Sequence, residues 1–339
     1  MDIETTQDGH LGHILLNRPK ALNALTHDMV RHLDAALQAW EADETIQAVL
    51  ISGAGERGLC AGGDIRSIYE DIRQGGGAAT AAFWRDEYLL NAWIAHYGKP
   101  YVALMDGLVM GGGVGVSAHG SVRVVTERTK LAMPETGIGL IPDVGGTFLL
   151  SRAPGDIGLH LALTGMAIGA GDAIACGLAD HFVPSADLPA FQRSAAAHGV
   201  TAALAAHAVP APEGILPEQR SWIDVCYAGE SVPEIVEQLL EIGESAAKEA
   251  AEQIAAKSPT ALRVTLRSIR RAGLLGSLEA ALDQEYRVSC RALRHPDLEE
   301  GIRAQVIDKD RSPRWAPAAS AAEVDAFFAP LGDKELGLS

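Results

Sequence analysis

Apolar positions along the chain recur with two periods, and these divide it into two kinds of segment. Residues 11–17 are mostly apolar up to Arg18-Pro19, which predicts a strand. Thr26 then stands where a helix N-cap belongs. Met29, Leu33, Leu37 and Trp40 follow at roughly helical spacing, so 27–42 is expected to be an amphipathic helix. Residues 46–52 read as a strand buried on both faces, closed by a glycine-rich loop. Short apolar strands are expected at 101–105 and 122–126, with a helix at 80–96 before them. Strands alternating with helices predict an α/β core. Beyond about residue 186 alanine and glutamate dominate, strand candidates vanish, and helical runs recur at 232–256, 259–272 and 277–294. Segments 74–82 and 200–218 read as connections rich in small residues or proline. The expected organisation is a core over 1–200 and a mainly helical region over 201–339.

Composition narrows the partners. A net charge of −16 argues against nucleic acid and anionic membranes, and any anionic ligand must be held by a local basic patch. The four cysteines, at 60, 176, 226 and 290, have neither C-x-x-C nor metal-ligand spacing, so no disulfide framework and no metal site are expected. A reducing cytosol fits. The first residues are acidic and lack a basic-then-apolar signal pattern, and no run of about twenty apolar residues predicts a membrane span. The expected location is cytoplasmic.

Three segments carry candidate chemistry. Cys60-Ala61-Gly62-Gly63-Asp64-Ile65 follows the buried strand and its glycine-rich loop. The N–H of Gly63 can reach a ligand oxygen because no Cβ blocks approach, although an ordinary turn has the same composition. Met110-Gly111-Gly112-Gly113 opens a small-residue helix, whose first N–H groups suit a negative oxygen; tight helix packing would equally use glycine there. Gly113 to Ala118 also fits the G-x-G-x-x-A dinucleotide pattern. It follows the third strand, however, and no strand-ending acid stands about twenty residues on. The third segment is Pro134-Glu135 through Pro142-Asp143. Proline stiffens the chain beside each acid, and the apolar Ile138, Leu140 and Ile141 favour raised carboxyl pKa values through desolvation. Asp143 also suits a plain helix cap ahead of 144–153. The cluster Arg85-Asp86-Glu87-Tyr88 reads as a solvated helix face. No Ser/His/Asp or Cys/His set stands out, and His119 and His181 read as structural.

Four ordered motifs together resemble the crotonase (enoyl-CoA hydratase/isomerase) superfamily: Leu16-Asn-Arg-Pro-Lys-Ala-Leu-Asn-Ala-Leu25, Cys60 to Ile65, Met110 to Gly113, and Pro134-Glu135. The resemblance implies an α/β fold, a crotonase-like spiral of ββα units with a mainly helical C-terminal region. It implies acyl-CoA thioester substrates, no cofactor beyond the coenzyme A of the substrate, and a homo-oligomer, trimer or dimer. It also implies an oxyanion hole from the N–H groups of Gly63 and Gly112. Hydratases of the superfamily place a first glutamate on the helix after the glycine run, where this chain has Gly115, and a second where it has Glu135.

Met110 to Gly115, Met133 to Thr136, Pro142 to Gly146, Glu87-Tyr88, Gly301 to Asp310 and Pro313 to Trp315 resemble instead the branch that hydrolyses 3-hydroxyacyl-CoA thioesters, 3-hydroxyisobutyryl-CoA among them. That resemblance implies Glu135 as the catalytic carboxylate, activating water or attacking directly, Asp143 on the substrate hydroxyl and Glu87 lining the acyl pocket. It further implies coenzyme A contacts at Lys20, Ala21, Ala61, Gly62, Asp64 and Ile65.

Overall fold

The computed structural model describes residues 2–339. The chain forms two compact units, each made of three chain segments. The first takes Met1–Gly63, Leu89–Leu131 and Ile168–Ile215; the second takes Asp64–Tyr88, Ala132–Ala167 and Leu216–Ser339. The units therefore interleave along the chain. Position 200/201, the border expected from composition, falls at the head of the helix Val200–His207, inside the first unit.

The first unit is built on strands β1 (Ile3–Asp8), β2 (Leu11–Leu16), β3 (Ala48–Gly53), β4 (Gly58–Cys60), β5 (Tyr101–Met105), β6 (Leu108–Met110), β7 (Val122–Val125), β8 (Lys130–Ala132) and β9 (His181–Phe182). The larger sheet has the order β1-β2-β3-β5-β7-β9. Its β1–β2 pair is antiparallel and every later pair is parallel. β5 is buried along its whole length and β3 along most of its own, which explains their unbroken apolar runs. Leu50, Val102, Leu104 and Val124 pack with Phe191 of the helix Leu188–His198.

A smaller sheet, β4-β6-β8, sets up the chemistry. β4 and β6 run parallel, with Cys60 opposite Val109, so the loops leaving their carboxyl ends emerge side by side.

Strand β1 has no counterpart in the apolar pattern. Only Ile3 of its six residues is buried, and antiparallel pairing to β2 holds it as an edge strand.

The second unit is helical apart from its loops and its share of β8. Ser258 caps Pro259–Ala272 and Ser277 caps Leu278–Ala292, each hydroxyl accepting a main-chain N–H. Ser320 and Glu323 form a reciprocal capping box on Ala321–Phe327. The single helix expected over 232–256 is two, Val232–Glu241 and Ser245–Ala255, because Gly243 takes a left-handed φ of 83° between them. Segment 200–218, expected as a connection, contains the helix Val200–His207 and the start of Leu216–Cys226. Ile141, Val264, Val288, Val324 and Phe328 form one apolar cluster of this unit. Among the described residues no helix is long and apolar enough to cross a membrane.

Candidate active site

The first unit carries candidate main-chain groups. After β4 the chain turns at Gly62, whose φ is 105°, and after β6 at Gly111, whose φ is 49°. These two turns lie against each other. A Cβ on Gly62 would stand 3.6 Å from the N of Gly112, and one on Gly113 would stand 2.3 Å from the carbonyl oxygen of Cys60. Glycine at 113 is thus a packing requirement: it lets the turn approach the main chain of the preceding loop. The N–H groups of Gly63 and Gly112 have no main-chain acceptor among the described residues. Two bare donors on adjacent, rigid turns are what a developing oxyanion needs.

The coenzyme A positions expected in this unit also converge. Lys20 and Ala21 lie in a single helical turn, Pro19–Ala21, followed by Leu22 and Asn23 with φ of 53° and 56°. This loop is tied to the β4 turn: Ala61 N–H donates to the Leu22 carbonyl at 3.0 Å, and Leu25 N–H to the Gly62 carbonyl at 2.8 Å. The Asn23 amide secures the same region by donating to the carbonyls of Ala54 and Gly58, each at 3.0 Å. Lys20, Ala21, Ala61 and Gly62 are therefore tied into one region, with Lys20 and Ala21 exposed and Gly62 buried. Asp64 and Ile65 follow directly in the chain, as the N-cap and first residue of the helix Ile65–Gly75.

The second unit carries candidate side chains. Glu135 opens a short helical turn, Glu135–Ile138, which closes when Leu140 N–H returns to the Glu135 carbonyl at 3.0 Å. That turn is held by close backbone packing on the helix Pro296–Ile302. A Cβ on Gly139 would meet Asp297, and one on Gly301 would meet Ile138, both at 2.5 Å. The side chain of Glu135 is 6% exposed, and its Oε2 has no protein partner. Asp143 is as deeply buried. The Tyr88 hydroxyl donates to its Oδ2 at 2.7 Å, and the Tyr88 oxygen also lies 3.0 Å from the Ser289 hydroxyl. Glu87, one residue before Tyr88 on the helix Ala78–Ala95, is buried with Oε1 unpartnered. The solvated face expected for this cluster is therefore an inward face at Glu87 and Tyr88.

A fourth carboxyl, Glu285, is wholly buried on the helix Leu278–Ala292 and gave no signal in the sequence. Tyr88 stands in the sequence as part of a cluster that reads as a solvated face, and Ser289 gives no signal there. Asn91, one turn beyond Glu87, was also missed; it is fully buried with neither amide atom partnered. Burial at spacing 87, 88, 91 along one helix is a 3.6-residue pattern, but polar residues at these positions disguise it.

The acids perturb one another. Burial, then the charge of Asp143, pushes Glu135 well above the ordinary glutamate range, and the same two causes in the same order raise Glu87. Burial raises Asp143 to about 6 against the lowering effect of the Tyr88 hydrogen bond. Glu285 is raised to about 8, again by burial first. No lysine or arginine figures among the causes for any of the four. Buried acids without a counter-cation hold protons up to near neutrality, where a carboxylate becomes an effective general base. Among the described residues no group of three His, Cys, Asp or Glu is arranged to hold a metal ion.

The resemblance extends to known proteins. The family model for enoyl-CoA hydratase/isomerase matches residues 11–328. A zebrafish (Danio rerio) protein named 3-hydroxyisobutyryl-CoA hydrolase, mitochondrial, is 44% identical over 97% of this chain and 90% of its own length. Among solved structures, one from Mycobacterium thermoresistibile described as a carnitinyl-CoA dehydratase matches with a TM-score of 0.96. It is 55% identical, covering 99% of this chain and 98% of that one. Another from Rhodobacter sphaeroides, described as an enoyl-CoA hydratase, matches at a TM-score of 0.93 and 44% identity over 99% of both chains.

Proposed function

Because the chain belongs to the enoyl-CoA hydratase/isomerase family, we propose that it hydrolyses a 3-hydroxyacyl-CoA thioester, converting 3-hydroxyisobutyryl-CoA to 3-hydroxyisobutyrate and free coenzyme A. The observation that carries this reading is the placement of the acids. Glu135 is held rigidly, buried and with one oxygen free, while the helix after the glycine run has Gly115 and no acid. Adding water across a double bond calls for a second carboxylate there. Cleaving a thioester requires one carboxylate, a stabilised oxyanion and water.

In the proposed reaction the thioester oxygen accepts from Gly63 and Gly112, and Glu135 takes a proton from water. The resulting hydroxide adds to the acyl carbon. Collapse of the tetrahedral oxyanion breaks the C–S bond, and the proton held by Glu135 passes to the departing thiolate. Direct attack by Glu135, giving a mixed anhydride that water then opens, has the same overall balance. Single-turnover hydrolysis in ¹⁸O water tests the second route: label in Glu135 requires an anhydride opened at the Glu135 carboxyl carbon, because general-base hydrolysis puts the label only in the acid product. Asp143 accepts from the substrate's 3-hydroxyl and Glu87 lines the acyl pocket. Lys20, Ala21, Ala61, Gly62, Asp64 and Ile65 hold the coenzyme A arm, and no further cofactor is required.

The same reading assigns the reaction to valine breakdown. We also propose a homo-oligomer, dimer or trimer, which light scattering of the purified protein would test. A cytoplasmic location is proposed too; four free cysteines suit a reducing compartment, and fractionation of the source cells is the test.

A second reading, reversible removal of water from a hydroxyacyl-CoA, is favoured by the descriptions of the two solved structures. One experiment decides. The purified protein is given 3-hydroxyisobutyryl-CoA and crotonyl-CoA separately. Release of free thiol from the first is expected. Loss of enoyl absorbance from the second, without thiol release from the first, would replace the hydrolase with a hydratase.

A further inference from the structure

Asp143 sits at the head of an unusual turn. Val144 has a φ of 53° and Gly145 one of 81°, so two successive residues are left-handed. For a β-branched residue this conformation is costly and persists only when the surroundings impose it. Within the turn, the Gly146 N–H donates to the Asp143 carbonyl at 2.6 Å.

Further support comes from 140 residues away. One oxygen of Glu285 accepts the N–H of Gly145 at 2.6 Å; the other accepts the N–H of Thr147 at 2.8 Å and also the Thr147 hydroxyl. A single carboxyl thus grips the main chain just beyond the strained residue. One helical turn further on, Ser289 meets the Tyr88 hydroxyl that donates to Asp143. The helix Leu278–Ala292 therefore holds Asp143 twice, through its main chain by Glu285 and through its carboxyl by Ser289 and Tyr88. With Oδ2 engaged by Tyr88, the free direction of the Asp143 carboxyl is set by how this turn is held.

We propose that Glu285 is a positioning residue: by clamping the 145–147 turn it aims Asp143, and so sets the preference for substrates bearing a 3-hydroxyl. The inference rests on the reading of Asp143 as the hydroxyl acceptor. A plain alternative exists, that Glu285 merely caps the short helix Gly146–Leu150. A cap would affect stability and leave substrate preference unchanged. A misaimed acceptor would change preference, because displacements of about 1 Å cost about a hundredfold in rate.

The test compares hydrolysis of 3-hydroxyisobutyryl-CoA and isobutyryl-CoA by the parent protein and by three variants. Glu285→Gln replaces one acceptor oxygen with an NH2 group facing the Gly145 N–H. Thr147→Val removes only the hydroxyl donor and keeps its shape, so it remains informative if Glu285→Gln fails to fold. Thr147→Ser keeps the hydroxyl. Expected for the first two is a loss of kcat/KM on the hydroxylated ester about tenfold or more larger than the loss on the plain ester, with Thr147→Ser close to the parent. Equal losses on both esters, or an unchanged ratio in folded Thr147→Val, would overturn the inference. A parent that hydrolyses neither ester would sink the functional reading and this inference together.

Discussion

The two units hold their chemistry in different materials. In the first, the proposed reactive groups are main-chain amides, and the sequence supplies them by leaving side chains out at 62, 63 and 111 to 113. In the second, they are carboxyl side chains kept in a buried site without a compensating cation. Main-chain donors are strong where glycine lets two loops approach, and their aim depends on backbone geometry alone. Buried acids are strong for the opposite reason: their desolvation makes them reluctant to ionise and hence basic. The first kind of site is damaged by adding atoms, the second by changing the chemistry of atoms already there.

Substitution in each unit sharpens that contrast. The largest expected effect is at Glu135→Gln, which preserves shape and removes the base. Thioester turnover should fall by about 10³–10⁴, while binding of the coenzyme A ester, read by calorimetry, stays near the parent value. Retained turnover would remove Glu135 from the reaction. Next is Gly113→Ala. Its new Cβ would lie 2.3 Å from the Cys60 carbonyl oxygen, so the two turns must part. Loss of one aligned donor predicts a fall of about 10²–10³ in kcat, together with a lower melting temperature. Full activity here would mean that the close approach of the two turns is irrelevant to the chemistry.

The same contrast decides what could be read from sequence. Glycine motifs and proline-flanked acids are local signals, and Gly62, Gly63, Glu135 and Asp143 emerged from them. Helices with a clean period lie where the pattern puts them, among them His27–Ala42, capped by Thr26, and Pro259–Ala272, capped by Ser258. Strand β1 was invisible because one buried residue makes no pattern. Glu87 looked like surface charge on a helix until the resemblance singled it out. Glu285 was hidden for a deeper reason: its partners lie 138 and 140 residues earlier in the chain, and a glutamate on a helix reads as solvated unless its tertiary neighbours are known. Side chains that act through distant contacts leave no trace in local spacing.

A smaller effect is expected at Asp143→Asn. The amide can still meet a hydroxyl but no longer as a charged acceptor. Discrimination between 3-hydroxyisobutyryl-CoA and isobutyryl-CoA should drop by about 10–10², measured as a ratio of kcat/KM values. An equal loss on both esters would refute its role on the hydroxyl and leave it a structural acid.

The smallest effect is in stability against pH, and it tests the claim that the second unit carries its acids without cations. Asp143 is raised from 3.8 to about 6 and Glu285 from 4.5 to about 8 in the folded protein. Between the ordinary value and the folded value of each, the native state holds a proton that the unfolded chain has released. Stability then falls as pH rises, by about 1.4 kcal/mol per pH unit for each group at most. The contribution is complete below about pH 4 and is lost as pH climbs through 6 and on to 8. The melting temperature should therefore decline over pH 5 to 8, and Asp143→Asn should flatten the lower part of that decline by removing one titrating acid. Tyr88→Phe acts in the opposite sense on the same group. Without the hydroxyl that favours the carboxylate, Asp143 holds its proton to higher pH, and the acid limb of kcat/KM moves upward by up to about one unit. A melting temperature that rises from pH 5 to 8 would mean that these acids are ionised and compensated in the native protein, and the contrast between the two units would reduce to glycine on one side and ordinary ion pairing on the other.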